Sequence, residues 1–157
     1  MANAIVVYAS ETGNTEYVAE GVVKGLKQGG LDVTLKNVGD SKPGELLEYD
    51  LVLLASSSWG EEEKELHESM EDYYDGLEGI DLSGKRAAAF GCGESEYEHF
   101  CGAVDLLEER LEERGAKLLH DLGDGFRVDG DPDQDILDSA KEWGKEMAEN
   151  FQKSRSS

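Results

Sequence analysis

Two unbroken apolar runs, Ala4-Ile-Val-Val-Tyr8 and Leu51-Val-Leu-Leu-Ala55 behind Asp50, constrain this chain more than any other feature. A strand with one wet face alternates apolar and polar residues. A short run without alternation reads as a strand buried on both faces, as in a parallel sheet covered by helices on both sides. The segments between the runs have the period such a cover needs. From Asn14 to Gln28, Tyr17, Val18, Val22 and Leu26 fall at helical spacing, and Gly29-Gly30 marks a C-cap. Leu31, Val33 and Leu35 alternate with polar residues, as in a second strand near an edge. A helix is predicted over 64–77. Arg86-Ala-Ala-Ala-Phe90 is a fourth strand, despite the weak strand propensity of alanine. Residues 101–114 carry Val104, Leu107 and Leu111 on one helical face, with Gly115 as the stop, and a fifth strand begins over Ala116–His120. Asp131-Pro132 with Gln134 has the pattern of a capping box, opening a last helix that runs to about Phe151.

Five strands alternating with helices predict an α/β three-layer sandwich around a five-stranded parallel sheet. The favoured order is 2-1-3-4-5, which puts its switch point between the first and third strands. The 157 residues suffice for one core. No linker or repeat divides them, so a single domain is predicted over 1–152, with 153–157 as a frayed tail.

Fifteen basic against 36 acidic side chains give a net charge of −21. That balance repels nucleic acid and anionic membrane surfaces, and attracts basic patches on proteins. It also suits solubility in a salty cytoplasm, and composition does not separate the two readings. No apolar run is long enough to cross a membrane, and Met1 to Val7 reads as a strand rather than a leader, so a cytoplasmic location is expected. Cys92 and Cys101 match no zinc or CxxC spacing and fit a reducing compartment.

In an open α/β sheet, ligands bind beyond the carboxyl ends of the strands beside the switch point. Three segments lie there. Ser10-Glu11-Thr12-Gly13-Asn14-Thr15 offers three hydroxyls, a carboxamide and free backbone N–H groups at a helix start, with Gly13 allowing a tight turn: an anion cradle without Lys or Arg. Simple N-capping would explain one hydroxyl, but less readily five donor-rich positions in six. GxxxxGK[ST] is absent, which argues against triphosphate hydrolysis. Ser56-Ser57-Ser58-Trp59-Gly60 places an indole past the sheet edge, either stacked on a flat ligand or folded back on the core. Gly91-Cys92-Gly93-Glu94-Ser95-Glu96-Tyr97 brings a second aromatic after glycines, but Glu96 breaks GxGxxG and the motif would follow the wrong strand, so no dinucleotide fingerprint is present.

These segments resemble the phosphate loop and the two ring loops of flavodoxins, particularly the short-chain ones of sulfate-reducing bacteria. Ser-x-Thr-Gly-Asn-Thr is highly specific to that family. Ser-x-Trp-Gly and Gly-Cys-Gly-x-Ser-x-Tyr-Glu-x-Phe-Cys-Gly-Ala-Val-Asp extend the likeness, which runs from the first strand to about Trp143. The resemblance implies a flavodoxin-like fold and non-covalently bound FMN. It implies phosphate binding by Ser10, Thr12, Asn14 and Thr15 with the backbone around Glu11 and Gly13. Ser57 and Ser58 would lie beside the phosphate and ribityl chain. Trp59 would cover one ring face and Tyr97 the other, and Gly60 would offer a carbonyl to flavin N5. Gly93, Glu94 and Cys101 would meet the pyrimidine end, and Cys92 and Phe100 are counted with the same loop. Three features depart from the pattern: the carboxylate of Glu11 inside the phosphate loop, the polar Ser56-Ser57 pair, and a longer fifth-strand region over 122–126.

The activity implied is that of a low-potential one-electron carrier, not an enzyme, which shuttles through a stabilised neutral semiquinone. Reductases, ferredoxin-dependent enzymes or cytochromes with basic docking patches are the partners implied, with no catalytic residue, no metal, and a monomeric state. Two rivals are weaker. A phosphoacceptor receiver lacks its Asp at the end of the third strand, where Ala55-Ser56 stands. An FMN-dependent quinone reductase would need further pockets for which a short chain leaves little sequence. Asp129-Gly-Asp-Pro-Asp-Gln-Asp135 fails as a calcium loop, because Gln134 occupies the glycine position and Ala140 the closing glutamate position.

Overall fold

The computed structural model describes residues 3–9, 14–57, 73–93, 102–119, 126–129 and 134–156. Its strands are β1 (Asn3–Ala9), β2 (Asp32–Asn37), β3 (Leu51–Ser57), β4 (Arg86–Gly93), β5 (Lys117–Leu118) and β6 (Phe126–Asp129). Its α-helices are α1 (Asn14–Gln28), α2 (Gly102–Glu113) and α3 (Gln134–Ser156). All strand pairs are parallel, in the order β2-β1-β3-β4-β5, with β6 also on β4.

The fifth position of the sheet is filled in two pieces. β5 pairs with Arg86 and Ala87 at the start of β4, and β6 pairs with Phe90 to Gly93 at its end. Of the fifth strand expected from Ala116 to His120, Lys117–Leu118 is strand, and residues 120–125 lie outside the described residues.

The double burial expected of β1 and β3 is visible as two cores. Ala4, Val6 and Tyr8 of β1, with Leu51, Leu53 and Ala55 of β3, face α1 and α3. Ile5, Val7 and Ala9, with Val52 and Leu54, face Tyr73, Leu77 and the Val104–Leu107–Leu111 stripe of α2. The side-chain period of two thus sends successive residues to opposite cores. The three alanines of β4 are fully buried, so burial between helices overrides their weak propensity. Of the helix predicted over 64–77, residues 73–76 are helical and Leu77–Gly79 form a 3-10 turn; the rest lies outside the described residues.

α1 ends as its glycine pair implies. Gly30 has a φ of +94°, Leu31 N–H donates to Leu26 O at 3.2 Å, and Gly30 N–H donates to Lys27 O at 3.0 Å, the two bonds of a Schellman motif. α3 continues to Ser156, past Phe151. The Asp131-Pro132 cap lies outside the described residues, and Gln134 Nε2 donates forward to Asp138 Oδ1 at 3.1 Å.

α1 and α3 pack closely through small residues spaced four apart. A Cβ on Gly25 would stand 2.0 Å from the Lys141 carbonyl oxygen, one on Gly144 would stand 2.4 Å from Val22 O, and one on Gly29 would stand 2.3 Å from Ala148 Cβ. Gly21, Gly25 and Gly29 therefore mesh with Ala140, Gly144 and Ala148. This contact locks most of α1 over the sheet.

Candidate flavin site

The parallel ladder brings the three predicted loop origins side by side. Ala9 is opposite Ser56, and Ser56 is opposite Gly91. All three are buried and lie on the α2 side of the sheet, forming a row of small residues beneath the strand ends. No side chain fits at Gly91, where a Cβ would stand 2.1 Å from Ser56 O and 3.0 Å from Val104 Cγ2. One residue beyond this row, Ser57 pairs with Cys92, and Gly93 pairs with Asp129 of β6.

The first turn of α1 stands at the same edge. Thr15 is fully buried, and its Oγ1 has no hydrogen-bond partner among the described residues. A buried hydroxyl without a partner costs about 1–3 kcal/mol. Here it sits where the first N–H groups of a helix also lack intrahelical acceptors. One anionic group accepting from the hydroxyl and the backbone together would meet both needs. Below this turn, Tyr8 is 7% exposed and its hydroxyl donates to Glu16 Oε2. Burial raises the Tyr8 pKa, and the bond to Glu16 raises it further, so the phenol keeps its proton.

The predicted site residues divide in three by what the structure describes. Thr15 is described in full. Asn14, Ser57, Cys92 and Gly93 are described by backbone: Asn14 opens α1, Ser57 ends β3, and Cys92 and Gly93 close β4. Ser10, Glu11, Thr12, Gly13, Ser58, Trp59, Gly60, Glu94, Tyr97, Phe100 and Cys101 lie outside the described residues. A groove of 620 Å³ runs along α3 and is lined by Phe126, Asp138, Ser139, Glu142, Trp143 and neighbouring charged residues. It contains no predicted site residue and lies away from the ends of β1 and β3, so it is not the site. Sequence reasoning missed Tyr8 and Glu16 as a pair, since each reads singly as a core residue and a helix-start acid.

The family model described as flavodoxin matches residues 6–144, most of the chain. The chain belongs to the flavodoxin family. A flavodoxin of Maridesulfovibrio salexigens is 46% identical over 152 residues, spanning 96% of this chain and all of that one. A flavodoxin of Nitratidesulfovibrio vulgaris is 42% identical over 144 residues, spanning 91% and 95%. Among solved structures, oxidised flavodoxin 2 of Bacillus cereus superposes with a TM-score of 0.86 at 38% identity, covering 94% of this chain and 99% of its own. This flavodoxin is accordingly a flavoprotein that binds FMN and an electron-transfer protein rather than an enzyme. The buried, unpartnered Thr15 hydroxyl at the α1 N-terminus fits the phosphate end of that cofactor. Among the described residues, no helix is long and apolar enough to cross a membrane.

Proposed function

We propose that the chain is a low-potential one-electron carrier that works through a stabilised neutral semiquinone of FMN and moves electrons between redox partner proteins. The observation that carries this reading is the orphaned Thr15 hydroxyl at a helix start beside the switch point of a flavodoxin sheet. FMN supplies the redox chemistry, taking up electrons singly. The chain supplies its setting.

Ser10, Thr12, Asn14 and Thr15, with the backbone at Glu11 and Gly13, hold the phosphate by neutral donors and the helix dipole. Ser57 and Ser58 lie along the ribityl chain. Trp59 and Tyr97 shield the ring faces from water, and Cys92, Gly93, Glu94, Phe100 and Cys101 form the wall at the pyrimidine end. Gly60 lacks a Cβ, so its peptide can turn at low cost, and its carbonyl would be the acceptor offered to the ring. One such net hydrogen bond is worth about 1 kcal/mol, or roughly 40 mV for one electron. Glu61, Glu62, Glu94 and Glu96 make a second added negative charge unfavourable, which lowers the second potential.

The charge of −21 draws basic docking patches on reductases, ferredoxin-dependent enzymes or cytochromes. Residues 1–152 act as one monomeric FMN-binding unit in the cytoplasm, where two free thiols persist. Stepwise anaerobic reduction of the FMN-loaded protein, followed by visible spectroscopy, tests the reading. A blue neutral semiquinone that accumulates before bleaching is the expected result. Direct two-electron bleaching, or steady turnover with NADH or NADPH alone, would overturn it.

A further inference from the structure

We infer that Tyr8 and Glu16 form a latch that positions the first turn of α1 and so sets how tightly FMN is held by its phosphate. The inference rests on the reading that this turn receives the phosphate.

Tyr8 is the next-to-last residue of β1, and its side chain lies on the side of the sheet that carries α1. Its hydroxyl donates to Glu16 Oε2, two residues into the helix. Asn37, at the end of β2, is the register partner of Tyr8. The Asn37 Oδ1 accepts the Gly39 N–H at 2.9 Å. The phenol oxygen therefore joins the end of β1 to the start of α1.

The rest of α1 does not need this tie. Its close contacts with α3 begin at Gly21 and continue through Gly25 and Gly29. The turn that contains Thr15 lies beyond them, one residue from Glu16. The latch also fixes a charge. Glu16 is an anion at the helix end where an anionic ligand is to bind, and the Tyr8 hydrogen bond holds its carboxylate against the sheet. Without the latch the turn is free to shift, and a like charge is free to swing toward the phosphate. Tyr8 and Glu16 are thus positioning residues, acting on the cofactor through Thr15 and the backbone of the turn.

Titrating the apoprotein with FMN and, separately, with riboflavin, followed by flavin fluorescence, tests this. Riboflavin lacks the phosphate, so a positioning role at the phosphate turn moves the first dissociation constant and not the second. Tyr8→Phe keeps the buried ring and should raise the FMN Kd about tenfold, equivalent to ~1.4 kcal/mol, with riboflavin changed less than about twofold. Glu16→Gln and Glu16→Ala remove the same charge, but only Gln keeps an oxygen for Tyr8. The Gln variant should bind FMN at least as tightly as the parent, and the Ala variant more weakly than the Gln one. Equal weakening of both ligands by Tyr8→Phe, or equal FMN binding by the Gln and Ala variants, would overturn the latch. The Gln and Ala comparison decides the matter if Tyr8→Phe does not fold. A parent protein that binds riboflavin as tightly as FMN would remove the phosphate reading itself, and the latch with it.

Discussion

Tyr73 shows how a single residue can write a pH dependence into the fold. It is 4% exposed beside the 3-10 turn at Leu77–Gly79, with its hydroxyl 3.2 Å from Ser41 Oγ and 3.4 Å from Lys42 O. Ser41 donates in turn to Glu45, whose other oxygen takes Lys36 Nζ at 2.6 Å. Burial pushes the Tyr73 pKa up to about 12 from 10.0, so the native state favours the neutral phenol. The sign follows from linkage. A group whose pKa is higher in the folded state contributes fully below its unfolded pKa and loses that contribution as pH rises through the folded value. Native stability should therefore fall as the pH rises from 10 toward 12. Lys36, its pKa raised first by the hydrogen bond to Glu45, loses stabilisation in the same alkaline direction, so the wild-type slope is shared. Urea unfolding of Tyr73→Phe at about pH 9 and about pH 11 separates them. The variant should lose less stability over that interval than the parent, and an identical loss would take Tyr73 out of the account.

At the scale of elements, the contact between α1 and α3 sets a glycine's usual penalty against its local use. In a solvent-facing helix Gly→Ala is worth about 1 kcal/mol of added stability. At Gly25 the new Cβ would meet three backbone atoms, Lys141 O at 2.0 Å, Lys145 N at 2.8 Å and Lys141 C at 2.9 Å. Backbone cannot rotate away, so the helices must part, and overpacking of this kind costs about 1–3 kcal/mol. Gly25→Ala should lower the urea midpoint, whereas Gly79→Ala, with open space around it, should change stability by less than about 0.5 kcal/mol. The two helices also mark where sequence reading stops. The limits of α1, the double burial of β1 and β3, and the strand order were legible because each depends on local period, local caps and a chirality rule. The meshing of Gly21, Gly25 and Gly29 with Ala140, Gly144 and Ala148 was not, although the spacing of four is plain in each helix, because more than a hundred residues separate the partners. The latch was hidden for a related reason: Tyr8 and Glu16 meet only once a strand and a helix are packed. The fifth position of the sheet was half legible, since the strand at Lys117–Leu118 was expected and the second piece at Phe126–Asp129 was not. Of the candidate site, the placement of Thr15, Asn14, Ser57, Cys92 and Gly93 at one sheet edge followed from the switch-point rule alone.

For the whole molecule, charge is the dominant quantity. A net charge of −21 on 157 residues opposes compaction through self-repulsion. The ion pairs of Arg110 do little to offset this: in Arg110–Glu78 at 3.2 Å and Arg110–Glu113 at 3.9 Å the acids are largely exposed. Salt should therefore stabilise the native state. Between about 10 mM and about 1 M the screening length falls from ~30 to ~3 Å, and the melting temperature of the FMN-loaded protein should rise with added KCl. A melting temperature that stays flat or falls would mean that the carboxylates are spaced too widely to repel. A different whole-molecule consequence follows from the two-piece fifth strand. β5 and β6 are each hydrogen-bonded to β4 at their own stations, so neither ladder measures the length of chain between Leu118 and Phe126. Doubling that length would cost only about 0.6 kcal/mol of closure entropy. This border of the sheet is thus a permissive seam, where the protein can acquire new sequence, and with it new surface, without re-registering a single strand.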